Sequence, residues 1–170
     1  MWGGIYALLF SISTILSIEN PIKNGFPERP AESYAKYSLS NVEFQNEIVG
    51  KEIQYSFYEN KKFGPLQRGQ SISITDQGGL WVGYGFIKKV QLSEDIYFNF
   101  DFFPGLYLKN SEEDLGGWLM FRSGLELEYS IDADFKISLG YDHRSSGDIW
   151  RYNPGMETMK ISLIKTLIRP

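Results

Sequence analysis

Between Val42 and Ile168 the chain repeats one pattern, in which short runs alternate apolar and polar side chains one by one and are separated by polar or glycine-bearing turns. A period of two fits a strand, whose successive side chains point to opposite faces; a helix needs an apolar residue every three or four positions. Ile53, Tyr55 and Phe57 oppose Gln54 and Ser56, and Ile72 and Ile74 oppose Ser71, Ser73 and Thr75. Ile96, Phe98, Phe100 and Phe102 oppose Asn99 and Asp101. Later, Phe121, Leu125, Leu127 and Tyr129 oppose Arg122, Glu126 and Glu128, while Phe135, Ile137, Leu139 and Tyr141 oppose Lys136, Ser138, Asp142 and Arg144. Aromatic residues make up 16% of the 170 residues and there are 17 glycines, the balance of an all-β chain with tight turns.

The expected strands are Val42 to Val49, Glu52 to Glu59, Gly69 to Asp76, Leu80 to Lys89, Glu94 to Lys109, Gly117 to Ser130, Ala133 to Ser145 and Met156 to Ile168. Those eight antiparallel segments suffice to close a small barrel. Two architectures share the alternation. A soluble barrel or sandwich turns its apolar face inward; an outer-membrane barrel turns it to lipid and fills its interior with polar groups. Periodicity alone does not choose between them. The outward arrangement is favoured by late strands long enough for a tilted membrane crossing and by aromatics near strand ends, Tyr97, Tyr107, Trp118, Trp150 and Tyr152.

A third indication comes from the start of the chain. The apolar run from Gly3 to Ile18 reads as a secretory signal peptide over residues 1–18. It is followed by PIKNGFPERPAE, whose prolines and glycine mark an extended linker, so that residues 19–41 lead to a barrel domain spanning 42–170.

Composition excludes several kinds of chemistry. With no cysteine there is no disulfide scaffold or thiolate metal site, and a single histidine leaves only an unusual, mostly carboxylate set for zinc. No metal and no cofactor is expected. The net charge of −4, without a block of Lys or Arg, lacks the electrostatic footprint of a nucleic-acid binder.

Catalytic residue types converge in one stretch, FKISLGYDHRSSGDIWRYNPGMETMKISL, from Phe135 to Leu163. Counting in twos from Phe135 reaches His143 and Ser145, so both share the apolar face of their strand. Glu157 is in phase with Met159, Ile161 and Leu163 on the apolar face of the next strand. If these strands pair as a hairpin, three polar groups meet at the margin of an apolar surface, where they break its pattern. Imidazole can take the proton of a serine attacking a carbonyl, and a carboxylate can fix the imidazole tautomer, so the set fits a serine hydrolase. Oxyanion donors are sought in the Asn153 amide and the backbone N–H groups around Ser146 and Gly147. The competing view is that His-x-Ser followed by glutamate arises by chance where strands leave a membrane or core.

The string His143-Arg144-Ser145-Ser146-Gly147, then Asn153-Pro154-Gly155-Met156-Glu157 before a last apolar strand, resembles the C-terminal signature of the lipid A 3-O-deacylase family. The likeness in specific residues covers about the last quarter of the chain. It implies an eight-stranded outer-membrane barrel of a Gram-negative cell that removes the ester-linked acyl chain at position 3 of lipid A, with its active site on the outside. Carried over, His143 is the base, Ser145 the nucleophile, Glu157 the orienting acid and Asn153 an oxyanion contributor. Ser146 stands where the family has asparagine. The partners implied are lipid A, or lipopolysaccharide, in the outer leaflet and the membrane itself; pairing as a homodimer is left open. Of the nearby basic residues, Arg144 and Lys160 share the polar face and read as interior charges, and Arg151, in the turn, is the one suited to a lipid phosphate. Two other functions stay in view, a non-catalytic structural or adhesive outer-membrane barrel and a soluble lipocalin-like lipid carrier.

Overall fold

The structure is a computed structural model and describes residues 26–170, so the expected signal peptide lies outside the described residues. Among the described residues nine strands form, all in one antiparallel sheet: β1 (Glu28–Pro30), β2 (Ser33–Phe44), β3 (Glu47–Phe63), β4 (Leu66–Thr75), β5 (Leu80–Gln91), β6 (Ile96–Leu108), β7 (Leu119–Ser130), β8 (Phe135–Ser145) and β9 (Met156–Ile168). Each strand from β2 to β9 pairs with its sequence neighbour, and β2 also pairs with β9, which closes an eight-stranded barrel. The three residues of β1 add a short outer pairing to the end of β3.

Strand alternation sets inside and outside. A row of register-paired apolar side chains, Ile74, Ile53, Leu39, Ile161, Leu139 and Leu127, runs around the outer wall. All six are exposed, Leu139 to 66%. The opposite parity points inward and is polar. Arg122 bonds Glu52 and Asp142, Lys36 bonds Glu126, Lys160 bonds Asp142, and Lys89 bonds Glu128, with Trp81, Tyr58 and Phe103 buried among them. Buried charges are tolerable only when paired and hydrogen-bonded, as these are. An apolar exterior over a polar, filled lumen is the construction of an outer-membrane barrel, and the arrangement with the apolar face inward is overturned.

The first expected strand is corrected. Val42 to Val49 does not form one strand: Gln45 and Asn46 take left-handed φ values of 52° and 68° and turn the chain back on itself between β2 and β3. Two consecutive left-handed residues make the hairpin turn whose twist matches that of its strands. The barrel therefore begins at Ser33, and residues 33–41 belong to it instead of to a linker. The other seven strands form as expected, with boundaries shifted by a few residues.

The two ends of the barrel differ. The turns 64–65, 92–95 and 131–134 lie at the end where β2 starts and β9 finishes. At the other end the two-residue β2–β3 turn and the 76–79 turn are joined by two longer loops, 109–118 and 146–155. Longer loops are the extracellular side of outer-membrane barrels. The catalytic-type residues cluster at this end.

Candidate active site

The hairpin of β8 and β9 places His143 directly opposite Glu157 in the ladder. Side chains that face each other across antiparallel strands stand ~5 Å apart, close enough for a direct bond. His143 Nδ1 lies 2.9 Å from Glu157 Oε1. A carboxylate can only accept, so Nδ1 carries the hydrogen, and in a neutral imidazole that leaves Nε2 as the acceptor. Ser145 follows on the same face of β8, but no hydrogen bond joins it to His143, and its hydroxyl has no partner among the described residues. Positions i and i+2 of a strand are ~6.6 Å apart along the chain, so the two side chains must lean together to meet. A histidine oriented by a glutamate is in place beside an unpartnered serine, and hydrogen bonds of this kind are often long before a reaction complex forms.

Both His143 and Ser145 are only 6% exposed, so they are recessed in the wall instead of standing open on it. Part of that cover is Gly155. It has a φ of +76°, and a Cβ at this position would come within 2.6 Å of His143 Cε1 and 3.3 Å of Nε2. The imidazole is thus held by Glu157 at Nδ1 and by the bare backbone of Gly155 along its Cε1 edge.

The loop from Ser146 to Gly155 is stapled from within. Gly147 and Asp148 both have positive φ, 61° and 64°, and Ile149 N–H donates to Ser146 C=O at 3.3 Å, which closes a tight turn immediately after Ser145. Asn153 ties that turn to the far side of the loop: its Oδ1 accepts from Ser146 N–H at 2.8 Å, and its Nδ2 donates to Asp148 Oδ1 at 2.9 Å. Of the expected oxyanion donors, Ser146 N–H is therefore already engaged, and the Ser146 hydroxyl is wholly buried with no partner. Gly147 N–H forms no hydrogen bond among the described residues, and Asn153 keeps a second amide hydrogen.

The side of β8 that faces the lumen is fixed by charge. Arg144, between His143 and Ser145, reaches inward to Glu52 beside the Trp81 and Tyr107 rings, and Lys160 bonds Asp142 at 3.0 Å. Both cations have the interior place read from their parity. Arg151 is exposed and has no ion pair among the described residues. Tyr152 is exposed at the rim, whereas Trp150 is half-buried under the loop, 6.2 Å from the Trp118 ring.

Two outer-face neighbours escaped the sequence reading. Ser123 on β7 is the register partner of His143, and Glu43 on β2 is that of Glu157. Ser123 was legible as a serine that interrupts the apolar phase of Phe121, Leu125, Leu127 and Tyr129. Glu43 was not, because the strand that carries it was misplaced. Gly155 was noticed only as part of a motif, since packing against a ring leaves no trace in sequence. Among the described residues no group of three or more His, Asp or Glu side chains is placed to hold a metal ion.

Comparison with known proteins adds an independent line. The model of the family described as lipid A 3-O-deacylase (PagL) matches residues 34–165. No curated protein matches the chain significantly in sequence. Among solved structures, a de novo designed transmembrane β-barrel superposes with a TM-score of 0.61 at 9% identity, covering 82% of this chain and 98% of the other. The crystal structure of the outer membrane enzyme PagL gives 0.60 at 10% identity, with 77% of this chain and 97% of that chain covered. Neisserial surface protein A gives 0.59 at 8% identity, with 83% and 99% covered. At such low identity these three likenesses speak for the fold alone.

Proposed function

The chain belongs to the lipid A 3-O-deacylase family, and from that premise we propose that it is a serine esterase removing the 3-O-acyl chain of lipid A. Its place is the outer membrane of a Gram-negative cell and its broad activity is lipid A deacylation. The finer reading is the assignment of a Ser145–His143–Glu157 triad on the barrel exterior. The observation that carries it is the 2.9 Å contact between His143 Nδ1 and Glu157 Oε1 on the apolar outer side of the wall.

In this reading Ser145 Oγ attacks the ester carbonyl carbon while His143 Nε2 takes the hydroxyl proton, and Glu157 stabilises the imidazolium that forms. The tetrahedral intermediate collapses by breaking the bond to the sugar oxygen, which leaves with the proton returned by His143. Water, activated by the same imidazole, then hydrolyses the acyl-serine ester and releases the fatty acid. Gly147 N–H and the second amide hydrogen of Asn153 are the donors proposed for the oxyanion. Ser146, sealed inside the loop, contributes its backbone to the staple and not its hydroxyl to the substrate. Exposed and unpaired, Arg151 suits a phosphate of the lipid headgroup. A site on the outer wall near the long-loop end meets lipid that never leaves the outer leaflet.

Mass spectrometry of lipid A from Gram-negative cells that lack a deacylase of their own and express this chain tests the proposal. Loss of a single 3-O-linked acyl chain is expected. Lipid A that keeps every ester-linked chain, while the barrel is folded in the membrane, would overturn it in favour of the non-catalytic barrel.

A further inference from the structure

The loop between β6 and β7 lies against the loop that carries the reaction, and the contact is made through two adjacent glycines. A Cβ on Gly117 would fall 2.2 Å from Trp150 Nε1, 2.4 Å from Cε2 and 2.5 Å from Cδ1, so the five-membered part of the indole rests flat on the missing side chain. Gly116 has a φ of +88°, and a Cβ there would fall 1.8 Å from the Tyr152 carbonyl oxygen. Farther along, Phe121, the register partner of Ser145, lies under the turn: a Cβ on Gly147 would touch its ring at 3.3 Å. Phe121 is itself stacked on Phe102, with centroids 5.7 Å apart and planes at 10°. Residues 116–121 therefore form a bed for residues 147–152. Trp150 Nε1 is buried with no hydrogen-bond partner, so the fit of the ring on this bed, and not a polar bond at that atom, fixes where the indole sits.

Trp150 comes directly after the Ser146–Ile149 turn, whose Gly147 N–H has been assigned to the oxyanion. We propose, resting on that functional reading, that Gly117 is a positioning residue for the deacylation reaction: as the seat of Trp150 it holds the turn after Ser145 where its backbone donor meets the developing charge. A methyl group at Gly117 lifts the indole and carries the turn with it. Oxyanion donors act only within a few tenths of an ångström of their proper distance, so the damage falls on the chemical step and not on substrate binding.

The test uses the full chain refolded in detergent or liposomes, with deacylation of lipid A followed alongside labelling of Ser145 by an alkyl fluorophosphonate. Gly117→Ala is expected to lower kcat by about tenfold or more at unchanged KM and to slow labelling in parallel, with heat-modifiable migration preserved. Gly117→Ala combined with Trp150→Ala, which removes the indole facing Gly117, is expected to be no less active than Trp150→Ala alone. The proposal is overturned if Gly117→Ala keeps full kcat, if its defect lies in KM, or if the folded double variant is several-fold less active than Trp150→Ala alone. Should Gly117→Ala not fold, the double variant decides by the same criterion, and if neither folds the glycine is merely structural and the proposal fails. Wild-type protein that leaves lipid A intact overturns the functional reading instead, a different outcome from an active wild type insensitive to Gly117→Ala.

Discussion

Glu157 faces His143 across the β8–β9 ladder, and its Oε1 stands 2.9 Å from the imidazole Nδ1. The two are fixed by register, so the ring orientation is set by the sheet itself. Replacing the carboxylate with an amide keeps the shape but allows the imidazole to adopt the other tautomer. Glu157→Gln is therefore expected to lower kcat by about 10³ with KM little changed, measured as acyl release from lipid A in detergent micelles. A variant with wild-type kcat would remove Glu157 from the triad.

If Ser145 and His143 serve as the proposed nucleophile and base, their removal has a characteristic signature, because the groups of a triad act as one unit. Ser145→Ala and His143→Ala are each expected to cut kcat by about 10³ or more, and the double variant to lose hardly more than either single one. Losses that multiply would mean that the two residues act independently, and the shared mechanism would be wrong even for a true esterase.

Gly155 supplies a test of geometry without any change of charge. A Cβ there meets His143 Cε1 at 2.6 Å, and the φ of +76° is itself costly for alanine. Gly155→Ala is expected to push the imidazole away from Ser145 and to reduce kcat by about tenfold or more at near-constant KM, with the heat-modifiable shift of the folded barrel retained. Steady-state kinetics on the refolded protein checks this, and an unchanged kcat would show that the ring tolerates displacement.

How much of this could be read from sequence depended on whether alternation was strong. In β7, β8 and β9, outward Ile, Leu, Phe and Tyr contrast with mostly polar inward residues such as Arg122, Glu126, Lys136, Asp142 and Lys160, so parity alone put His143, Ser145 and Glu157 on one face. In β2 the outward residues include Asn41 and Glu43, and inward ones include Tyr34 and Val42, so the contrast disappears where the barrel begins. The turn at Gln45 and Asn46 has no glycine or proline to announce it. The loop staple was half legible. Asn153 was singled out as a donor, but its bonds to Ser146 and Asp148 depend on a turn conformation that only the fold specifies.

On the lumen side, one carboxylate holds two cations. Glu52, with no exposed side-chain surface, bonds Arg122 and Arg144 and accepts from Ser73 Oγ at 2.9 Å. Neutralising it leaves two buried guanidinium groups short of a counter-charge. Glu52→Gln is expected to destabilise the barrel by about 3–5 kcal/mol, measured by reversible urea unfolding in lipid vesicles. Glu28→Gln, which breaks the half-exposed pair with Lys61, is expected to change stability by less than about 1 kcal/mol. Equal effects would mean that the interior network is hydrated and not desolvated.

The outward face makes the opposite demand on charge. Leu139 lies near the middle of β8 in the apolar row of the wall and is 66% exposed. In water such a site accepts arginine freely, and a soluble carrier would not be harmed by one. In a bilayer the guanidinium must be dragged into hydrocarbon, so Leu139→Arg is expected to cost about 2–4 kcal/mol, read from the same urea unfolding in vesicles. The penalty is expected to shrink for Met159→Arg, which lies one step nearer the long-loop rim in the register of β8 and β9. Arginine without cost at Leu139 would place this wall outside the membrane, and with it the lipid route to Ser145.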